Sequence, residues 1–146
     1  MNISVIIPTL DNPNNVRDVI KALNLQLVLP SEIVIVDSSS NDEISELTKS
    51  IKSQINITYK RIGRAYRFDR LLLILKGVPV IKNFFLGLPI GRAFPGEASN
   101  YGVEAAKHEW VALLDATTIP NENWINDYCN IIKNKDVEVV LGNTLY

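Results

Sequence analysis

Ile3-Ser4-Val5-Ile6-Ile7-Pro8-Thr9 and Ile33-Val34-Ile35-Val36-Asp37 are the stretches whose reading decides the fold. Each is a short apolar run rich in β-branched residues. Neither shows the polar alternation of a half-exposed strand, so each reads as a strand buried on both faces. The first run is expected to end at Pro8. Between them, Asn12-Pro13 reads as a helix start, with Asn as the cap and Pro at the first helical position. Val16, Val19, Ile20 and Leu23 then recur at helical spacing and form one apolar stripe. After Asp37, the polar run Ser38-Ser39-Ser40-Asn41-Asp42 reads as a loop and cap. Ile44, Leu47 and Ile51 carry a second stripe, and Ile57-Thr58-Tyr59 a third strand. Buried runs alternating with amphipathic helices imply parallel strands joined by right-handed crossovers.

The pattern breaks between about residues 60 and 95 and then resumes. A helix is expected over Ala98 to Lys107, and a strand over Trp110 to Leu114, ending at Asp115. A helix from Pro120-Asn121 would turn Trp124, Ile125, Tyr128, Ile131 and Ile132 inward. Val137 to Leu141 reads as a last strand. The expectation is a single domain over residues 1–146: an α/β chain, a three-layer α/β/α sandwich around a mostly parallel central sheet of about five strands.

Composition narrows the function. The chain has 146 residues, 47% hydrophobic and 21% charged, an ordinary globular balance. A single cysteine, Cys129, excludes a disulfide framework and reads as a core residue; one histidine, His108, argues against a Cys/His zinc site. MNISVIIPTL lacks the basic start of a signal peptide. The net charge of −1 gives no global pull toward nucleic acid, and none is expected as a partner. That average hides a segregation. Lys60, Arg61, Arg64, Arg67, Arg70, Lys76, Lys82 and Arg92 face one anion, Asp69, so this segment is +7 and the rest of the chain −8. Charge so divided implies contact with something at the basic part.

In an open parallel α/β sheet, ligands bind beyond the carboxyl ends of the strands. Three such ends carry polar residues: Thr9 with Asp11, Asp37, and Asp115 with Thr117 and Thr118. A carboxylate there can accept from a base or ribose hydroxyl, or hold a divalent cation. It can equally cap the turn that follows it. Two aspartates after two buried strands favour a shared ligand. No glycine-rich phosphate loop follows the first strand, which argues against a dinucleotide dehydrogenase and a P-loop nucleotidase. No nucleophile elbow is present, and His108 has no nucleophile partner in sequence.

Ser4-Val5-Ile6-Ile7-Pro8-Thr9, with Ile33-Val34-Ile35-Val36-Asp37 and Ser38-Ser39-Ser40-Asn41-Asp42, resembles the opening of family 2 glycosyltransferases of the GT-A fold. Glu97-Ala98-Ser99-Asn100-Tyr101-Gly102, followed by Glu104-Ala105-Ala106-Lys107, resembles that family's A-x-N-x-G helix. Val111 to Pro120, with Trp124, resembles its DxD strand and the helix after it. The resemblance implies a nucleotide-diphospho-sugar donor, an inverting transfer and Mg²⁺ or Mn²⁺. It implies that Thr9 lies near the base, that Asp37 accepts from it, that Asp115 faces ribose and diphosphate, and that Pro8, Asp11 and Thr117 belong to the same donor site. Asn100 would belong to the helix bordering the site. The metal's task would be to neutralise the leaving diphosphate.

Three departures stand out. The motif is Asp115-Ala116-Thr117, so a neutral hydroxyl replaces the usual second carboxylate. Asp115 then suffices as metal ligand with water and phosphate oxygens, or basic side chains replace the metal, or the site is inert. The acceptor half, with its acidic base, would follow Leu141; Glu122 and Asp127 fit solvated helix positions, and no general base is identifiable. Finally, the insertion at about 60–95 sets arginines beside LLLILKGVPVIKNFFLGLPI, residues 71–90. Two prolines and two lysines make that run a poor spanning helix. It suits an anionic membrane surface, or a lid or partner subunit. The expectation is a cytoplasmic enzyme, peripheral on the inner face of the membrane, that acts on a lipid-linked or glycan acceptor in cell-envelope polysaccharide synthesis. The alternative is a non-catalytic or truncated GT-A-like module that binds a nucleotide sugar or a partner subunit.

Overall fold

A computed structural model describes residues 1–62, 95–134 and 136–142. The elements run β1 (Ile3–Thr9), α1 (Pro13–Asn24), β2 (Glu32–Asp37), α2 (Glu43–Ser50), β3 (Asn56–Arg61), α3 (Pro95–Ala105), β4 (Trp110–Leu113) and α4 (Trp124–Asn134). The basic and apolar insertion, apart from its ends, lies outside the described residues, as does the expected membrane, lid or subunit contact there.

The four strands form one parallel sheet in the order β3-β2-β1-β4. Alternate strand residues point to opposite faces, and both faces are covered. On one face, Val5, Ile7, Ile33 and Ile35 pack with Val16, Val19, Ile20 and Leu23 of α1. Ile44 and Leu47 of α2 and Ile125 and Cys129 of α4 complete that core. On the other, Ile6, Val34 and Val36 meet Ala98 of α3. This double burial explains why β1 and β2 read as unbroken apolar runs, and it gives the expected three layers.

α3 approaches the sheet at Gly102, where a methyl group would stand 2.2 Å from Ile6 Cγ2 and 3.1 Å from Val36 Cγ2. Only a residue without a side chain allows that contact.

Four details differ from the sequence reading. β1 continues through Pro8, which pairs with Val36. Even-numbered residues of β1 turn their backbone groups toward β4, as Ile6 does in accepting from Leu114 N–H. Pro8 has no N–H with which to continue that ladder, and β4 ends at Leu113. The Asn12 side chain makes no cap bond; Pro13 still opens α1. β2 begins one residue early, at Glu32, whose buried carboxylate accepts from Ser4 Oγ at 2.8 Å and from Lys107 N–H at 2.7 Å. The fifth strand expected over Val137–Leu141 is not formed. Those residues lie across a cleft of about 780 Å³ from the open edge of β4, with Val139 and Leu141 exposed. Strand propensity needs a neighbouring edge to pair with, and here none is in reach.

Candidate donor site

The chain order reverses at β1. β2 and β3 are laid down on one side of it and β4 on the other. The carboxyl ends of β1 and β4 therefore flank a topological switch point, where an open α/β sheet leaves a crevice. Thr9 ends β1, and Asp115 lies two residues beyond the end of β4. Asp37 ends β2 in register with Thr9.

Thr9 is buried, yet its Oγ1 has no hydrogen-bond partner among the described residues. Buried hydroxyls are normally satisfied, so this one is available to a bound group. Pro8 beside it is half-buried. Asp11 turns the chain at φ 50°, the left-handed region that aspartate tolerates better than most residues. It is fixed from the neighbouring loop: Asp11 N–H donates to Ser39 Oγ at 2.8 Å, and Ser40 N–H donates to Asp11 Oδ1 at 3.2 Å. Ser38 N–H donates to Thr9 O at 3.0 Å. The β1–α1 and β2–α2 loops are thus stitched into one surface.

Asp37, which the resemblance placed against the base, lies in a closely bonded setting. It is wholly buried. Its Oδ1 accepts Ser39 N–H at 2.8 Å. Its Oδ2 accepts the Tyr59 hydroxyl at 2.6 Å and Arg61 Nη2 at 3.1 Å. Both of its oxygens are thus engaged within the protein, and they hold the loop that follows β2. Burial, and then the Asp37 carboxylate that holds its proton, push the Tyr59 hydroxyl up to about 12. Burial works against the Arg61 charge, but hydrogen bonds to Asp42 and Asp37 outweigh it and raise its pKa.

Asp115 is exposed. Its Oδ1 accepts Thr117 N–H at 2.7 Å and Thr117 Oγ1 at 2.6 Å. Thr117 is therefore a donor to Asp115 and not a second acidic arm. No group of three His, Cys, Asp or Glu side chains is assembled for a metal among the described residues. What remains fits a divalent cation only in the sparse mode, with one protein carboxylate and the substrate's phosphates completing the shell. Asn100 is exposed on α3, whose Gly102 lies over β1 and β2. Glu122 and Asp127 are exposed, as their positions suggested.

Sequence reasoning missed Tyr59, Arg61 and Ser39 as parts of this site. Arg61 counted only as one more cation of the basic segment. The signal was the register: three parallel strands of like length put Arg61 beside Asp37.

Compared with known proteins, the chain is 24% identical over 145 residues to the chondroitin synthase of Escherichia coli, which covers 99% of this chain and 17% of that protein. The Staphylococcus aureus TarS 1–349 structure superimposes with a TM-score of 0.64 at 20% identity, over 91% of this chain and 32% of TarS. A further TarS structure is a complex with UDP-GlcNAc. Glucosyl-3-phosphoglycerate synthase from Mycobacterium tuberculosis, in complex with Mn²⁺, UDP and glucosyl-3-phosphoglycerate, gives 0.57 at 20% identity, over 92% and 40%. The chain thus spans well under half the length of these relatives. Residues 4–69 match the model of Glycosyl transferase family 2, and the chain shares the fold of these solved structures.

Proposed function

We propose that the chain forms the donor-binding part of a glycosyltransferase that takes a sugar from a nucleotide-diphospho-sugar, with inversion, and passes it to a glycan or lipid-linked acceptor. The observation that carries this is the topological switch point between β1 and β4, with the buried Thr9 Oγ1, without a partner among the described residues, on one side and the exposed Asp115 on the other. Thr9 and the Asp11 turn would receive the base. Asp115 would face the ribose and diphosphate. Asn100 would border the sugar side. A divalent cation, when bound, would neutralise charge on the departing diphosphate, with Asp115 its one protein carboxylate. The relatives complexed with UDP-GlcNAc and with UDP and Mn²⁺ support a donor of this class. In this reading the protein works at the inner face of the membrane; no helix among the described residues is long and apolar enough to cross one.

The test is a thermal-shift panel of UDP, GDP, CDP and their sugars, with and without Mn²⁺. Stabilisation by one nucleotide, lost in Asp115→Ala, is the expected result. No shift with any member overturns the donor site. Thr117 in the place of an acid favours a second reading, a module that binds the nucleotide sugar without turnover. Sugar transfer by the protein would exclude it.

A further inference from the structure

We propose that Arg61, assisted by Tyr59, is a positioning residue for the nucleotide, a clamp that fixes the turn over residues 37–42 as one wall of the donor pocket. The inference rests on the donor-site reading. Arg61 stands at the last position of β3, outside both apolar cores. Every hydrogen bond its side chain makes among the described residues goes to that turn. Nη2 reaches Asp37 Oδ2 at 3.1 Å and also the Asn41 carbonyl, and Nη1 bonds Asp42 Oδ1. Tyr59 adds its hydroxyl to the same Asp37 oxygen at 2.6 Å.

The chemistry explains the residue type. The three acceptors lie at the two ends of the turn, on Asp37 and on Asn41-Asp42. A planar guanidinium presents several donors in a rigid fork and can hold both ends at once. An ammonium can neutralise charge but cannot span them.

The clamp acts beyond the turn. Between its held ends lie Ser38, Ser39 and Ser40. Ser38 N–H holds the Thr9 carbonyl at 3.0 Å, Ser39 Oγ holds Asp11 N–H at 2.8 Å, and Ser40 N–H holds Asp11 Oδ1 at 3.2 Å. Arg61 therefore sets the height of the loop that carries Thr9, without touching the crevice itself. Its side chain is 12% exposed.

The test separates positioning from plain stability. Arg61→Lys, and the milder Tyr59→Phe, are compared with wild type at 10 °C, well below unfolding. The probe is whichever of UDP, GDP and CDP stabilises the wild type. Calorimetry reads the dissociation constant, and amide hydrogen exchange reads Ser38 to Ser40 against the core amides of β1 and β2. The expected result for Arg61→Lys is binding weakened about tenfold or more, with exchange faster in the turn and unchanged in the strands. Tyr59→Phe should give the same pattern at smaller size. Unchanged affinity in a folded Arg61→Lys protein overturns the proposal while leaving the donor site standing. Absence of nucleotide binding by the wild type removes the donor-site reading, and the clamp with it.

Discussion

Asp37 and Asp115 make the same local bond and end in opposite surroundings. In each, Oδ1 accepts the amide two residues on, at 2.8 and 2.7 Å. Asp37 is then sealed by Tyr59 and Arg61, whereas Asp115 stays exposed. Substitution should separate them. Asp37→Ala strands a buried guanidinium arm and a tyrosine hydroxyl and should cost about 2–4 kcal/mol in urea unfolding. Asp115→Ala should change stability by less than about 0.5 kcal/mol while abolishing the nucleotide-induced thermal shift.

Tyr59 gives a pH signature. Its folded pKa of about 12 lies above the ordinary value of 10.0, so the folded state holds this proton more tightly than the unfolded chain. The stabilisation is complete below pH 10 and is lost as the pH rises from there toward about 12. Denaturant midpoints measured across that interval should fall in the wild type. Tyr59→Phe should show a shallower decline, and equal slopes would disprove the assignment.

Gln26 caps α4 from far away in sequence. Its Oε1 accepts Ile125 N–H at 3.1 Å while its Nε2 donates to Asn121 O at 2.5 Å. One buried amide thus secures the start of α4 against the end of α1. Gln26→Leu keeps the volume and leaves both partners unsatisfied, at a cost of about 1–3 kcal/mol. The unfolding midpoint measures it, and a neutral result would mean that water replaces the amide.

Two glycines of α3 should behave oppositely. Gly102→Ala pushes a methyl into Ile6 and should destabilise by about 1–3 kcal/mol. At Gly96 an added methyl would meet nothing within 4 Å, so Gly96→Ala should be neutral or stabilising by up to about 1 kcal/mol. Thermal denaturation of the two variants checks the pair together.

Thr117→Asp tests the metal. It replaces a hydroxyl that donates to Asp115 with a second carboxylate. Nucleotide binding in this variant should become markedly more dependent on Mn²⁺ than in the wild type, since two acidic arms hold a hard cation better than one. Identical metal dependence in both proteins would place the cation, if one acts, away from residue 117.

The sheet was legible because its physics is local. Runs such as Ile33 to Val36 are apolar without alternation only when both faces are covered, and the amphipathic stripes between them specify parallel crossovers. The strand ends at Thr9, Asp37 and Asp115 followed from that topology. The division of labour among them did not. The burial and bonding of Asp37 depend on Tyr59 and Arg61, which reach it only through strand register. The strand expected at Val137–Leu141 failed for a related reason: propensity belongs to a segment, but pairing belongs to two.

The stitched loops also bear on how binding proceeds in time. Ser38, Ser39 and Ser40 hold Thr9 and Asp11 in the free protein. The disorder that a floppy wall would surrender on meeting its ligand has already been given up during folding. On the donor-site proposal, a nucleotide arriving at β1 would find that side of its berth preassembled, and its capture should then be limited by encounter, with no slow closing of these two loops to await.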